Sequence, residues 1–441
     1  MVPEWRFVEK FPGEIQREEH ISQFFSEISN TEAVIREALQ NSMDARLSDD
    51  TVTIVISLTR TDSDGEIFFK GLDIHLRERG IDGIVLSGLG RDAEFMMIED
   101  FNTSGLDGSH QCGPDVKSRY CSFWWYDGKL EKAGTKGGRW GQGKYVFFEY
   151  SRIRTFFGLT VANDEASKPV FLLGRSLIGP HVIDGREYKG DGVYSGEGYS
   201  PIEDRSILEN FMKVFRLQRK YDKTGLSIVI PYPNLDIDED AVEQIRQAAI
   251  THFIYPLLKR DLDVIICDNI KMRGCINIEI SEEALMTVSD EDSSDAGLLL
   301  KEWISGGRKT LDINFSSLGN DEIVNSEYEQ GIVKGMKAAY EKGEAVGFRI
   351  SGDFKYGECK RTRPGELYII MKKSEREKGS AYVIRYPVSL PEEFKRIRVP
   401  NTTTVMIVEN RLSDGQENIL NRLLGDSENP SHTKWSKRSE I

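Results

Sequence analysis

The spacing of apolar and polar positions predicts helices and strands in alternation along the chain. Thr51–Thr59 is a β-branched run of strand length, and Phe95–Glu99 is a short apolar strand. A polar, glycine-rich stretch over residues 102–143 then interrupts this periodicity. Helices are also predicted over residues 14–28, 31–46 and 145–150, and strands near 153–161, 169–174 and 225–230.

The pattern starts again after a proline-rich turn, Pro231 to Pro233. It predicts a helix from about 239 to 259, a strand over Asp263–Cys267 and another strand near 275–280. Residues 300–441 are typical of mixed α/β structure and end in a polar tail from about residue 427. We therefore predict an α/β protein of two domains, residues 1–235 and 236–441.

The composition of the 441 residues, 39% hydrophobic before glycine is counted, fits a folded chain. No apolar run approaches the roughly 20 residues that span a bilayer, and the N-terminus has no signal-peptide core. We expect a cytoplasmic protein with no membrane partner. The net charge of −14 argues against coating of nucleic acid, which needs a basic surface, but leaves room for a local basic patch.

The cysteines and histidines point to no metal centre. Five cysteines lie at least eight positions apart without a CxxC pattern, so the sequence predicts neither a zinc knuckle nor a disulfide framework. The six histidines are scattered.

The helix predicted over residues 31–46 carries a polar cluster opposite its apolar side. Glu37, Asn41 and Asp44 fall at i, i+4 and i+7, and alanines flank them, so that a ligand could approach closely. The apolar face is formed by Ile35, Leu39 and Met43. The alternative is the solvated face of an amphipathic helix, although such faces favour Lys and Arg and asparagine is a poor helix former.

The order Glu37, Asn41, Asp44 resembles the N-box of the GHKL superfamily, which includes DNA gyrase B, the heat-shock chaperone, histidine kinases, MutL and the MORC proteins. The resemblance implies that the side-chain oxygen of Asn41 completes the shell of a Mg²⁺ ion, a hard cation that takes oxygen ligands. It also implies that Glu37 orients and deprotonates the attacking water, as a carboxylate near the γ-phosphate can. Asp44 is carried over as a nucleotide-binding residue.

A second motif follows the strand Phe95–Glu99. The superfamily has DxGxG here, with an Asp that accepts a hydrogen bond from the adenine amino group, and Asp100 takes its place. The glycine spacing departs from the family, because Asn102 and Ser104 precede the first glycine, Gly105. Asparagine tolerates left-handed backbone, so we predict that Asn102 substitutes for a glycine. Gly105 is carried over as nucleotide-binding, and the alternative for Asp100 is a turn residue that ends a strand.

Five glycines lie within residues 134–143, and Lys144 follows them. The core of this segment resembles the family's GxxGxG lid, which closes over the triphosphate. Clustered glycines free backbone N–H groups to face phosphate oxygens, and the next helix N-terminus adds positive charge. The alternative is a flexible linker. The residues carried over as nucleotide-binding are Gly138, Gly141, Gly143 and Lys144.

A P-loop is a competing interpretation of the same glycines. Residues 138–144 nearly match a Walker A sequence, and Leu262–Asp268 could pass as Walker B. Position 145 is Tyr, however, where a P-loop needs Ser or Thr to bind Mg²⁺, and the residues before the glycines are polar rather than a buried strand. This interpretation also leaves the polar cluster of residues 37–44 unexplained.

Thr224 and Gly225 precede an apolar strand and resemble the family's last motif, in which a Thr and a Gly reach the adenine-binding Asp. The four motifs stand in family order over residues 31–230. The resemblance implies a Bergerat-type α/β sandwich, with helices on one face of a mixed sheet, followed by a transducer-like domain. Lys360 is the candidate for a lysine that the second domain extends to the γ-phosphate, and its alternative is a solvated basic loop.

The function implied is Mg²⁺-dependent binding and slow hydrolysis of ATP, in a MutL- or MORC-like homodimer that closes on ATP and relays this to DNA or a partner protein. A histidine kinase needs a phosphorylatable His on a hairpin before the N-box, yet only His20 precedes Glu37. An ATP-binding regulatory module without turnover stays open. The aromatic segment Phe123–Tyr126 has few basic neighbours, which favours lid packing or a dimer contact over stacking on nucleic acid.

Overall fold

A computed structural model of the chain describes residues 3–11, 30–48, 50–61, 63–81, 89–113, 116, 118–126, 143–164, 168–235, 240–306, 310–314, 327–356, 361–390 and 398–427. These residues form an α/β protein, which confirms the predicted fold class. Two compact units are present. The first holds most residues up to Arg246 together with Leu262–Ile278, and the second holds Gln247–Asp261 and the described part of Glu279–Ile441.

The first unit is built on one large mixed sheet. Its described strands are β1 Glu4–Glu9, β2 Val52–Arg60, β3 Glu94–Phe101, β4 Thr155–Val161, β5 Val170–Leu177, β6 His181–Ile183, β7 Arg186–Ser195, β8 Gly225–Pro231, β9 Leu262–Asp268 and β10 Gly274–Asn277. Its described helices are α1 Asn30–Asp44, α2 Leu72–Glu78, α3 Arg119–Trp124, α4 Tyr145–Tyr150 and α5 Arg205–Val214, with short 3₁₀ helices at Ser63–Phe68 and Glu197–Tyr199.

The strands lie in the order β1-β7-β5-β4-β8-β3-β2-β9-β10, and β6 pairs with β7. Strand β9 runs parallel to β2, with Ile54 opposite Val264, whereas the other paired neighbours are antiparallel. Strand β9 therefore returns to the first unit from the part of the chain that we assigned to residues 236–441. A domain boundary at residue 235 stays a prediction.

The centre of this sheet is covered on both faces. Phe95 and Met97 of β3 join an apolar cluster with Leu72 of α2 and Phe211 of α5. The alternate residues of β3 face α1, where Asp100 accepts a hydrogen bond. The helices thus lie on both faces and not on one as we expected. The uninterrupted apolar run of β3 is the physical reason, since a strand covered on one side only alternates apolar and polar residues.

The second unit has its own sheet, in the order β11-β12-β13-β16-β14-β15. Its strands are β11 Leu311–Asn314, β12 Val346–Tyr356, β13 Arg361–Lys373, β14 Ser380–Arg385, β15 Val388–Ser389 and β16 Thr402–Val408. Helix α6 Ala241–Lys259 passes from the first unit into the second. The other described helices are α7 Glu282–Met286, α8 Glu291–Ser305, α9 Glu327–Glu341 and α10 Ile419–Ser427.

Most predicted elements are confirmed within the described residues, although α3 was missed inside the stretch 102–143, where we expected no periodic structure. Its start is set by Ser118, whose hydroxyl accepts a hydrogen bond from Cys121 N at 2.9 Å, as an N-cap does. The helix predicted over 14–28, the tail beyond residue 427 and Lys360 lie outside the described residues.

Two cysteine pairs form disulfides, Cys112–Cys121 and Cys267–Cys275, so our expectation of no disulfides is wrong. Spacing along the sequence missed the second pair because β9 and β10 bring its members directly opposite each other, with a Cα–Cα distance of 4.0 Å. Disulfides persist mostly in oxidising compartments, so the predicted cytoplasmic location stays a prediction. Within the described residues, no helix combines the length and the apolar character needed to cross a membrane.

Candidate nucleotide site

Helix α1 carries the first candidate residues on a buried side. Glu37 is 7% exposed, and Asn41 Nδ2 donates a hydrogen bond of 3.2 Å to its Oε1. Asp44, the last residue of the helix, is partly buried. This side of the helix is not a solvated face, so that alternative is wrong. The contact uses the amide nitrogen of Asn41 and not Oδ1, the type of atom that binds Mg²⁺.

Asp100, near the end of β3, is buried and both of its carboxylate oxygens accept hydrogen bonds. Oδ1 accepts from Thr103 Oγ1 at 2.6 Å and from Leu226 N at 2.7 Å. Oδ2 lies 3.0 Å from the hydroxyl of Ser42, on the same helix as the N-box residues. A carboxylate has about four acceptor positions. Three are therefore engaged by described residues, from α1, from the loop after β3 and from β8.

Two left-handed residues follow Asp100. Asn102 has φ 64°, which confirms the prediction that it takes a glycine-like conformation, and its Nδ2 donates to Thr51 O at 2.8 Å. Gly105 has φ 61°, and a Cβ there would lie 2.6 Å from Thr160 Oγ1. The loop can approach β4 this closely only because residue 105 has no side chain. A contact of Gly105 with nucleotide stays a prediction.

The turn before β8 closes against Asp100. Gly225 has φ 140°, and a Cβ on it would lie 2.5 Å from Asp100 Oδ1 and 2.2 Å from Asp100 O. Thr224, which precedes it, is partly buried. Asp100 and Gly225, 125 positions apart in the chain, thus meet as the last motif predicts. A contact of Thr224 with nucleotide stays a prediction.

The glycine-rich segment is described only at its end. Gly138 and Gly141 lie outside the described residues. Gly143 lies directly against the N-box, because a Cβ on it would be 1.6 Å from Glu37 Oε1. Lys144 is 7% exposed, and its Nζ donates to the carbonyl of Tyr126 at 3.0 Å. The segment's last glycine and the candidate base therefore lie together.

Sequence reasoning missed a buried ion cluster of Glu99 and Arg219 behind Asp100. Glu99 accepts hydrogen bonds from Gln218 N at 2.8 Å and from Arg219 N at 3.1 Å. Burial lowers the pKa of Arg219, and the negative charges of Asp100 and Glu99 oppose that change. The available signal was a charged residue, Glu99, at the end of an apolar strand, since a buried carboxylate needs donors or a cation.

The aromatic segment 123–126 packs inside the first unit. Trp124 is 1% exposed and stacks on Phe156, with ring centroids 5.7 Å apart and an interplanar angle of 11°. Trp125 lies under the guanidinium of Arg175 at 5.8 Å. Trp124 is therefore a core residue, and the predicted lid packing or dimer contact of this segment stays a prediction.

The side chains of the candidate site that could bind a magnesium ion are oxygen donors. Among the described residues, no group of three or more His, Cys, Asp and Glu side chains is arranged to hold a metal. Asn41 and Asp44 supply oxygen atoms on α1, and Mg²⁺ is commonly held by one or two protein ligands together with phosphates and water. This donor set suits an ion that arrives with a phosphorylated ligand.

No family model matches the sequence, and no curated protein matches it. Solved structures are similar to the chain in fold. The 43K ATPase domain of Thermus thermophilus gyrase B, in complex with an aminocoumarin, has 11% identity and a TM-score of 0.32, over 87% of this chain and 78% of that chain. A topoisomerase IV ATP-binding domain of Francisella tularensis, in complex with a small-molecule inhibitor, has 10% identity and a TM-score of 0.35, over 98% and 96%.

The B-subunit of the DNA gyrase from Myxococcus xanthus has 8% identity and a TM-score of 0.33, over 88% of this chain and 79% of that chain.

Proposed function

We propose that this protein is a GHKL-type ATPase that binds ATP with Mg²⁺ and hydrolyses it slowly. The observation that carries the proposal is the approach of α1 to Asp100: Ser42 contacts its carboxylate, and Glu37 and Asn41 lie up to five residues earlier on that helix. Five residues of helix span about 7.5 Å. A nucleotide whose base binds at Asp100 can therefore extend its phosphates along α1 towards Glu37.

Asp100 supplies the acceptor for the base. Its fourth acceptor position suits the amino group of adenine, whereas guanine presents a carbonyl oxygen at the equivalent place and would be repelled. The turn at Thr224 and Gly225 closes the side of this carboxylate. These contacts favour ATP over GTP as the substrate.

Glu37 supplies the base for hydrolysis. Asn41 Nδ2 holds Oε1 of this carboxylate and so fixes its rotation, which leaves the second oxygen to orient and deprotonate a water. Asn41 and Asp44 would hold Mg²⁺, which when bound neutralises charge on the phosphate oxygens. Gly143 and Lys144 would close over the phosphates, together with Gly138 and Gly141.

The output we propose is a homodimer that closes on ATP and transmits closure through residues 236–441 to DNA or a partner protein, as the MutL and MORC resemblance implies. Lys360 is the candidate for a lysine that reaches the γ-phosphate. A second candidate function is ATP binding without turnover. One contact favours it, because Gly143 lies so close to Glu37 Oε1 that it fills one side of the carboxylate.

Steady-state phosphate release and ATP affinity, measured on the same preparations of wild type and Glu37→Gln, test the proposal. We expect wild-type turnover, a loss of about 10²–10⁴-fold in Glu37→Gln, and little change in ATP affinity. The matched control is Glu209→Gln, an exposed carboxylate on α5 that pairs with Arg205. Wild-type turnover in Glu37→Gln would exclude it as the base. ATP binding without turnover in the wild type would support the second candidate.

A further inference from the structure

We propose that Arg219 is a positioning residue for the adenine-binding group, and that it sets the base selectivity of the site. This inference rests on the proposed function, because it assigns a role towards the base that Asp100 is proposed to bind. Arg219 belongs to none of the four motifs.

The guanidinium of Arg219 is fully buried and joins the two segments that form the base site. It donates from Nη2 to the carbonyl of Asp100 and, at 2.9 Å, to that of Leu226. Nη1 donates to Lys223 O at 3.1 Å. One side chain thus ties the end of β3 to both ends of the turn that contains Thr224.

These contacts hold in place one of the three donors to the Asp100 carboxylate, the main-chain N–H of Leu226. Leu226 N donates to Asp100 Oδ1, while Leu226 O and Asp100 O both accept from the same guanidinium nitrogen. Moving the turn away from β3 would break all of these bonds together. Arg219 therefore acts on the direction of the free acceptor position of Asp100, because it holds the turn that binds Oδ1.

The charge of Arg219 is balanced within the cluster. Its Nε donates to Ser227 Oγ at 2.6 Å, and this hydroxyl donates in turn to Glu99 Oε1 at 2.9 Å. The guanidinium also lies over the ring of Phe101, 4.7 Å from its centroid. A planar fork of several donors is needed for these acceptors, and a lysine ammonium cannot reproduce it.

The test is Arg219→Lys, which keeps the charge and removes the fork. We measure dissociation constants for Mg·ATP, Mg·GTP and magnesium tripolyphosphate by calorimetry. The positioning role predicts that ATP binds about tenfold more weakly, that tripolyphosphate binding changes less than twofold, and that the preference for ATP over GTP falls by a similar factor. A purely structural role would weaken all three ligands alike.

The matched control is Arg6→Lys. Arg6 also donates to main-chain carbonyls, those of Ser195 at 3.1 Å and Gly196 at 2.6 Å, but it lies on β1, at the far edge of the sheet from β3. We expect it to leave all three constants unchanged. If Arg219→Lys does not fold, Ser227→Ala decides, since it removes one acceptor of the fork, and we expect a threefold or greater loss of ATP preference.

An unchanged ATP-to-GTP preference in the folded variant, or an equal loss for ATP and tripolyphosphate, would overturn the positioning role. If Ser227→Ala has to decide, an unchanged preference there overturns it too. Failure of the wild type to bind any of the three ligands would instead overturn the proposed function. The two failures are therefore distinguishable in one set of titrations.

Discussion

At the scale of single residues, close packing as well as hydrogen bonding limits which side chains fit in the candidate site. Gly143 and Gly225 each lie where a Cβ would meet a carboxylate oxygen, of Glu37 in one case and of Asp100 in the other. A glycine in such a position lets the backbone cover a carboxylate that a larger residue would displace. These two glycines therefore help to define the candidate site, together with the two carboxylates that they contact.

Gly143→Ala is expected to move Glu37 or the start of α4, because the new Cβ cannot remain 1.6 Å from Oε1. We expect turnover to fall at least tenfold and stability to fall by about 1–3 kcal/mol, as for other overpacked sites. The control is Gly113→Ala, where the nearest atom to a new Cβ is 3.8 Å away. Phosphate release and urea unfolding measure the two effects, and wild-type values of both would show that Gly143 does not pack on Glu37.

At the scale of elements, α2 is joined to the β6–β7 hairpin by two buried histidines. His75 on α2 and His181 on β6 share a hydrogen bond of 2.7 Å between Nδ1 and Nε2. The Nδ1 of His181 lies 2.9 Å from Gly179 O and donates to it, so its Nε2 accepts from His75. Burial, and then the neighbouring His181, lower the pKa of His75 to about 4, against an opposing effect of Asp73.

A pKa lowered in the folded state means that the unfolded chain binds this proton more tightly. The contribution of His75 to stability is therefore fully present above about pH 6.5 and falls as the pH drops from there towards 4. We expect a loss of about 1 kcal/mol between pH 7.5 and pH 5 from this group, because solvent screens part of the effect. Urea unfolding of wild type and His75→Gln at both values measures it, with the exposed His110→Gln as control. The same pH slope in wild type and His75→Gln would contradict the assignment.

The helices and strands also show which parts of the fold can be predicted from the sequence. Runs such as Thr51–Thr59 and Phe95–Glu99 predicted β2 and β3 because propensity and burial agree there. Helix α1 and the left-handed Asn102 were predictable for the same reason, that local chemistry points to one conformation. The Glu99–Arg219 cluster was not predictable, since residues 120 positions apart meet only through the pairing of β3 with β8. The disulfide across β9 and β10 depends on strand register in the same way.

At the scale of the whole molecule, the proposed output is a change in oligomeric state. We expect Glu37→Ala to bind ATP without hydrolysing it and to accumulate as a closed dimer, so that its mass rises from 50.1 kDa to about twice that value. Size-exclusion chromatography with light scattering, with and without Mg·ATP, measures this. Wild type is expected to form the same dimer when a non-hydrolysable ATP analogue is bound. A monomer under all of these conditions would contradict the dimer clamp but not ATP binding.

Binding of adenine by Asp100 is tested by calorimetric titration of Mg·ATP into wild type and Asp100→Asn. An amide at this position presents a donor where the base needs an acceptor, and it leaves a buried polar mismatch that costs about 1–3 kcal/mol. We predict one ATP bound per wild-type chain and an affinity about ten- to hundredfold lower in Asp100→Asn. Equal affinities in the two proteins would remove Asp100 from the base site, and no binding by the wild type would exclude ATP as the ligand.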